Sequence, residues 1–248
     1  MIQYGLLEEN EDTDAYVDKG ISLDEIEKGT GSPTYGSNIK LDPEDTHTWN
    51  NKGIALGKSD EYEEAISCFD EAIKLDPKNY SAWNNKGIAL GKSDEYEEAI
   101  SCFDEAIKLD PEDSDVWYHK GDSLSSLEKY EEAISCFDEA IKLDPEDSGV
   151  WNGKGFALGS LEKYEEAISC FDEAIKLDPE NYYALSWKAT GLGSLEKYEE
   201  AIACYDKLIM LDPEDTIAWY HKGDSLKELG RVEEAKQCSA KVKELQQS

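Results

Sequence analysis

Positive charge is scarce in this 248-residue chain: 25 lysines and arginines stand against 57 aspartates and glutamates, a formal net charge of −32 at pH 7. So strong a negative field opposes a nucleic-acid backbone or an anionic membrane face, and neither is expected as a partner. Long apolar runs are missing too, with no stretch of about 18 apolar residues that would cross a membrane. The beginning, Met1 to Asp14, is acidic and lacks the charged-then-apolar pattern of a secretory leader, so a cytoplasmic protein is expected. Histidine is limited to His47, His119 and His221, no Cys-x-x-Cys pair exists, and every recurring glycine falls in a helical pattern rather than a phosphate loop. What is present is 39% apolar and 10% aromatic residues, enough for a sizeable core, which excludes a wholly disordered acidic chain.

The chain repeats. Asp-Pro falls at 42–43, 76–77, 110–111, 144–145, 178–179 and 212–213, each pair 34 residues after the last. Trp49, Trp83, Trp117, Trp151 and Trp219 keep the same phase, with Leu185 in the remaining copy. Gly53, Gly87, Gly121, Gly155 and Gly223 follow four residues later, with Ala189 in the fifth copy. Within one unit, Trp49, Gly53 and Leu56 recur at i, i+4 and i+7, and Ala65, Phe69, Ala72 and Ile73 at i, i+4, i+7 and i+8, so each unit holds two amphipathic helices and no strand. A fixed period of this size marks stacked units too small to bury their own apolar faces.

These positions resemble the tetratricopeptide repeat (TPR) family: Trp, a small residue, Leu, Ala, Phe, Ala and Pro stand at repeat positions 4, 8, 11, 20, 24, 27 and 32 when Thr46 is position 1. The resemblance implies an all-α, right-handed superhelix of about six helix-turn-helix hairpins, at 46–79, 80–113, 114–147, 148–181, 182–215 and 216–248, the last ending in a polar cap helix. Residues 1–45 read as a degenerate copy, broken by Gly29, Gly31, Pro33 and Gly36. One departure is systematic: position 7 is Lys52, Lys86, Lys120, Lys154, Lys188 and Lys222, where the family has a large apolar residue. Each lysine either lays its stem on the core and pairs with an acidic neighbour, or belongs to a ladder of ligand-binding ammonium groups.

Differences between the copies separate two kinds of position. YEEAISCFDEAIKLDP is identical at 62–77, 96–111, 130–145 and 164–179, whereas the first helices vary. Position 5 runs Asn50, Asn84, Tyr118, Asn152, Ser186, Tyr220; position 6 runs Asn51, Asn85, His119, Gly153, Trp187, His221; position 9 runs Ile54, Ile88, Asp122, Phe156, Thr190, Asp224. The resemblance implies that these positions line a concave groove holding an extended peptide or a partner helix. Carboxamides both donate and accept hydrogen bonds, so the asparagines suit a peptide backbone, and the aromatics suit anchoring. The partner is then a basic or neutral protein segment, with Lys58 and Lys92 leaving one end of the groove less negative. The basic cluster by which some TPR domains grip a chaperone's C-terminal carboxylate is absent: Asn50, Ile54, Asp115 and His119 stand at four of its five positions, and of the five only Asn85 is kept.

Enzymatic chemistry is not expected. Cys68, Cys102, Cys136, Cys170, Cys204 and Cys238 recur once per unit, too far apart for disulfides, and read as small buried residues. His119 with Asp122, and His221 with Asp224, read as hydrogen-bonding groove pairs rather than metal or acid–base sites, and no cofactor is implied. Two other readings are a head-to-tail self-assembling array, because the units resemble one another, and a regulatory subunit of a separate enzyme.

Overall fold

The computed structural model describes residues 45–246, so the degenerate copy expected before residue 45 lies outside the described residues. Twelve helices and no strand make up the described part. They are α1 (Thr46–Gly57), α2 (Tyr62–Leu75), α3 (Tyr80–Lys92), α4 (Tyr96–Leu109), α5 (Ser114–Ser126), α6 (Tyr130–Leu143), α7 (Ser148–Ser160), α8 (Tyr164–Leu177), α9 (Tyr182–Ser194), α10 (Tyr198–Leu211), α11 (Thr216–Glu228) and α12 (Val232–Leu245).

Each odd-numbered helix packs on the even-numbered helix that follows it, and each even-numbered helix on the next odd-numbered one, giving an all-α solenoid of helical hairpins. Consecutive first helices also touch one another from α1 through α9, while consecutive second helices make no comparable contact. The stack therefore curves with its first helices on the inner side. The contact between α9 and α11 is weaker than between any other consecutive first helices.

Local sequence sets the boundaries. Every first helix is capped by an Asp or Asn, namely Asp45, Asn79, Asp113, Asp147, Asn181 and Asp215, whose side chain accepts hydrogen bonds from free amides of the first turn. Such a cap contributes about 1 kcal/mol. Second helices carry no side-chain cap but place paired glutamates, such as Glu63 and Glu64, at the positive end of the helix dipole. The turn within each hairpin needs one residue with positive φ: Asp60, Asp94, Glu128, Glu162 and Glu196 lie near +60°, and Gly230 takes the place in the last unit. A proline follows every second helix except α12, and the carbonyls of Pro77, Pro111, Pro145 and Pro213 accept a hydrogen bond from the next repeat tryptophan, at 3.0 Å for Trp83 to Pro77 and 3.1 Å for Trp117 to Pro111.

The hairpin interior is held at one spacing by a phenylalanine against a glycine. A Cβ placed on Gly87 would stand 2.5 Å from the Phe103 ring, and Gly53, Gly121 and Gly155 meet Phe69, Phe137 and Phe171 in the same way. All four rings are buried, among Ala, Cys and Leu side chains.

Between units the repeated lysines form ion pairs. Lys86, Lys120, Lys154, Lys188 and Lys222 meet Asp70, Asp104, Asp138, Asp172 and Asp206 of the preceding second helix at 2.5–2.6 Å. At Lys120, Lys154 and Lys222 the ammonium also stands over the unit's own tryptophan, 5.7 Å from the Trp117 ring centre for Lys120. The aspartates are about half exposed, so each pair contributes no more than about 1 kcal/mol. They favour one register between units more than they favour folding.

Gly87→Ala is expected to lower stability by about 1–3 kcal/mol, because the new methyl overpacks against Phe103. Gly57→Ala, where nothing lies within 4 Å, should be neutral or stabilising by up to about 1 kcal/mol. Urea melts followed by circular dichroism separate the two; equal effects would mean that the ring contact does not set the helix spacing.

Candidate functional site

Side chains from successive first helices meet across the inner face. Asn85 Nδ2 donates to Asn50 Oδ1 at 3.3 Å, and the Phe156 and Trp187 rings stand edge to face with centres 5.1 Å apart. At these two junctions position 6 of one unit reaches position 5 or position 9 of the unit before it, so residues of successive units share one surface.

The seventeen residues singled out from the sequence do not contribute to that surface equally. At the α1–α3 end, Asn50 is buried, Asn51 is exposed, and Asn84 and Asn85 are half-buried. Ile54 and Ile88 pack against the cores of their own units and form floor rather than wall. In the middle, Tyr118 lies against Phe137 with ring centres 6.1 Å apart, and Phe156 is held between Tyr130 and Trp187. Asp122 is exposed, although its carboxyl is crowded by the chain around it, and Asn152 is half-buried. At the α9–α11 end, Ser186 and Asp224 are half-buried, Thr190 is exposed with its hydroxyl donating to the Ser186 carbonyl, and His221 is exposed. Among the aromatic side chains of this set, Trp187 and Tyr220 stand open, at 38% and 56% exposure. The Oδ1 atoms of Asn84 and Asn152 are buried and accept no hydrogen bond, unlike that of Asn50.

Why these side chains differ in freedom follows from the ring beneath them. The aromatic residue at position 24 presents its second face to position 6 of the next unit. His119 stacks on Phe103 and His221 on Tyr205, each at 6.0 Å between centres and 19° between planes. At the third junction position 6 is Gly153, whose Cβ would lie 2.9 Å from the Phe137 ring, and Tyr118 covers that ring instead.

The expected pairs His119–Asp122 and His221–Asp224 are not formed. Both imidazoles are drawn flat onto the preceding unit's aromatic ring, and Asp224 accepts from Lys227 at 2.6 Å. Burial, and then the Lys92 ammonium, hold the His119 imidazole well below its ordinary value, at about 4. Burial pushes the Asp122 carboxyl up, and Lys92 opposes that shift. The position-7 ammonium groups from Lys86 onward are occupied by the aspartates, so of the two readings of those lysines the structure has the ion pair.

Two inner-face residues escaped sequence reasoning. Tyr183 and Ile217, both at repeat position 2, are 39% and 62% exposed, one turn before Trp187 and Tyr220 on the same helix faces. The signal was available, since position 2 varies as freely as position 5: His47, Ser81, Asp115, Gly149, Tyr183, Ile217. Among the described residues no three His, Cys, Asp or Glu side chains converge in a way that would hold a metal ion. All six cysteines are buried, and burial raises the thiols of Cys102, Cys136 and Cys170 to about 11, away from reactivity. No helix among the described residues is long and apolar enough to cross a membrane.

Comparison with known proteins agrees with this geometry. The family model described as "Tetratricopeptide repeat" matches residues 48–79, 80–113, 114–147 and 149–181, and a second, "TPR repeat", matches 194–235. Among solved structures, the chain resembles YrrB, a TPR protein with an unusual peptide-binding site, at 25% identity over 77% of this chain and 99% of that one, with a TM-score of 0.63. It shares its fold with pilF of Pseudomonas aeruginosa, at 20% identity over 81% and 91% of the two chains and a TM-score of 0.69. MamA of Desulfovibrio magneticus is similar at 22% identity over 71% and 98%, with a TM-score of 0.65. No curated protein matches the sequence.

The stacked His119 gives stability a pH dependence of defined sign. An unfolded chain binds a proton on this histidine near pH 6.5, whereas the folded chain does so only near 4, so its contribution is complete above pH 6.5 and disappears as the pH falls toward 4. His119→Phe keeps the stacked ring and removes the proton. The stability of the original chain relative to His119→Phe should fall by about 2 kcal/mol between pH 7 and pH 4.5. A difference that stays constant over that range would show that the imidazole is not desolvated.

Proposed function

The chain belongs to the tetratricopeptide repeat family, and on that premise we propose that it is a non-catalytic protein-interaction scaffold holding an extended peptide or a partner helix along the shared face of its first helices. One observation carries this reading. The residues that differ between copies gather on the face where first helices meet, while four second helices are identical in sequence. Random drift would have scattered differences over both helices of each unit. The likeness to YrrB, a protein with a peptide-binding site, supports the same reading.

The functional units in this reading are the six hairpins at 46–79, 80–113, 114–147, 148–181, 182–215 and 216–248. Affinity arises from many modest contacts over a preformed surface, with little ordering cost to the scaffold. The net charge of −32 selects a basic or neutral segment. Buried thiols in every unit suit a reducing compartment such as the cytoplasm. Head-to-tail assembly is less well supported at the C-terminal end. Where preceding units offer a phenylalanine or tyrosine and an aspartate to the next unit, α12 has Ser239 and Ala240.

The triple variant Asn84→Ala, Trp187→Ala, Tyr220→Ala should lose most of the partners that the original chain retains from native cell extract, with a melting temperature changed by only a few degrees. Retention unchanged by the triple variant would place binding on another face. For a retained partner, the association rate constant should fall several-fold between about 50 mM and about 500 mM salt as steering is screened. A rate indifferent to salt would remove charge from the account of partner choice.

A further inference from the structure

The inner face has two chemically different ends, and the difference runs through charge, side-chain type and helix spacing together. At the α1–α3 end, position 5 and position 6 are all asparagine, and position 13 is Lys58 and Lys92. Lys92 lies close enough to His119 and Asp122 to bias both. At the α9–α11 end the asparagines give way to Trp187 and Tyr220, and one turn earlier Tyr183 and Ile217 continue the apolar surface. All four side chains are at least 38% exposed, two on each of two consecutive first helices, which is unusual for residues of this size. These two helices are also the consecutive first helices that touch least.

Both ends of α11 carry exposed acidic residues. Asp212 and Glu214, in the turn leading into α11, are exposed next to Ile217 in sequence, and Glu228 takes position 13, where the other end has lysine. Lys188 is paired with Asp172, Lys222 with Asp206 and Lys227 with Asp224, so each lysine of α9 and α11 already has a carboxylate.

We propose that the space between α9 and α11 seats one bulky apolar side chain of the partner, flanked by lysine or arginine, while the asparagine end follows the partner's backbone. The proposal rests on the reading of the inner face as the binding surface and adds to it the partner's chemistry and its direction. A large apolar residue buried among Tyr183, Trp187, Ile217 and Tyr220 supplies most of the affinity, as aromatic anchors in desolvated pockets do. Its basic neighbours meet Glu214 and Glu228 at the ends of α11. Cations placed at the opposite end would face Lys58 and Lys92, so the charge gradient fixes which way the segment lies.

The test is a random dodecapeptide phage library panned on the full chain, followed by fluorescence anisotropy of the selected peptides after synthesis with a fluorescein label. Selected peptides should share one aromatic or long aliphatic residue within a few positions of lysine or arginine. Trp187→Ala and Tyr220→Ala should each weaken them at least tenfold, with Tyr220→Phe retaining most of the affinity. Melting temperatures of the same variants, whose side chains are largely open, should lie within a few degrees of the original chain. Peptides that bind Trp187→Ala and Tyr220→Ala at full strength but lose affinity to Asn50→Ala with Asn84→Ala would overturn the anchor and leave the inner-face reading standing. Enrichment of acidic peptides, or of peptides without a bulky residue, would overturn the proposed chemistry. Failure to enrich any peptide above the unpanned library would count against both the anchor and the inner-face reading.

Discussion

In four successive units a phenyl ring from the second helix rests on the bare backbone of a glycine in the first, and that contact fixes how closely two helices approach. A methyl group would already intrude, since the position of a Cβ on Gly53 or Gly87 lies 2.5 Å from the ring. Close approach brings the hairpin's alanines to complete burial, with Ala65, Ala72, Ala99 and Ala106 at 0% exposure. The ring is then large enough to extend past its own hairpin and present its other face to the next unit. One residue type at one position therefore sets both the spacing within units and the surface on which the following unit is laid.

From that second contact comes much of the character of the inner face. At three junctions position 6 sits above the preceding ring, so its side chain decides what the surface offers. A histidine lies flat and is desolvated at Phe103; a glycine lets Tyr118 fold down over Phe137. Trp187 instead leans on Phe156 and keeps much of its surface in solvent. Diversity between copies is thus diversity in how one repeated ring is covered, and it leaves some aromatic residues spent on packing and others open.

The excess of acid is distributed so that it does not disrupt this stacking. Glutamates gather at the second helices' first turns, where the helix dipole favours them, and one aspartate per second helix, from Asp70 to Asp206, faces a lysine of the next unit. At position 29, Lys74, Lys108, Lys142 and Lys176 pair with the glutamate three residues earlier. The fifth unit breaks that pattern with Lys207 and Met210, the latter 81% exposed. Such pairs contribute little stability singly, yet wrong registers would bring carboxylates together in a chain with so few cations.

The period of 34, the two helices per unit, their caps and their proline ends were legible in the sequence because each depends on residues close in the chain. So was the variable face, because the copies serve as their own comparison. The sequence did not reveal that Tyr118 would be packed down, that the imidazoles would leave Asp122 and Asp224 for aromatic rings, or that Tyr183 and Ile217 would stand open. Each of those outcomes rests on a neighbour about 15 to 35 residues away, or on space left by a residue that is small. Local pattern determines which helices form and which side they bury. Only the stacking of unit on unit decides which of the remaining side chains are covered, because coverage depends on the size and direction of groups brought together by the solenoid rather than by the chain.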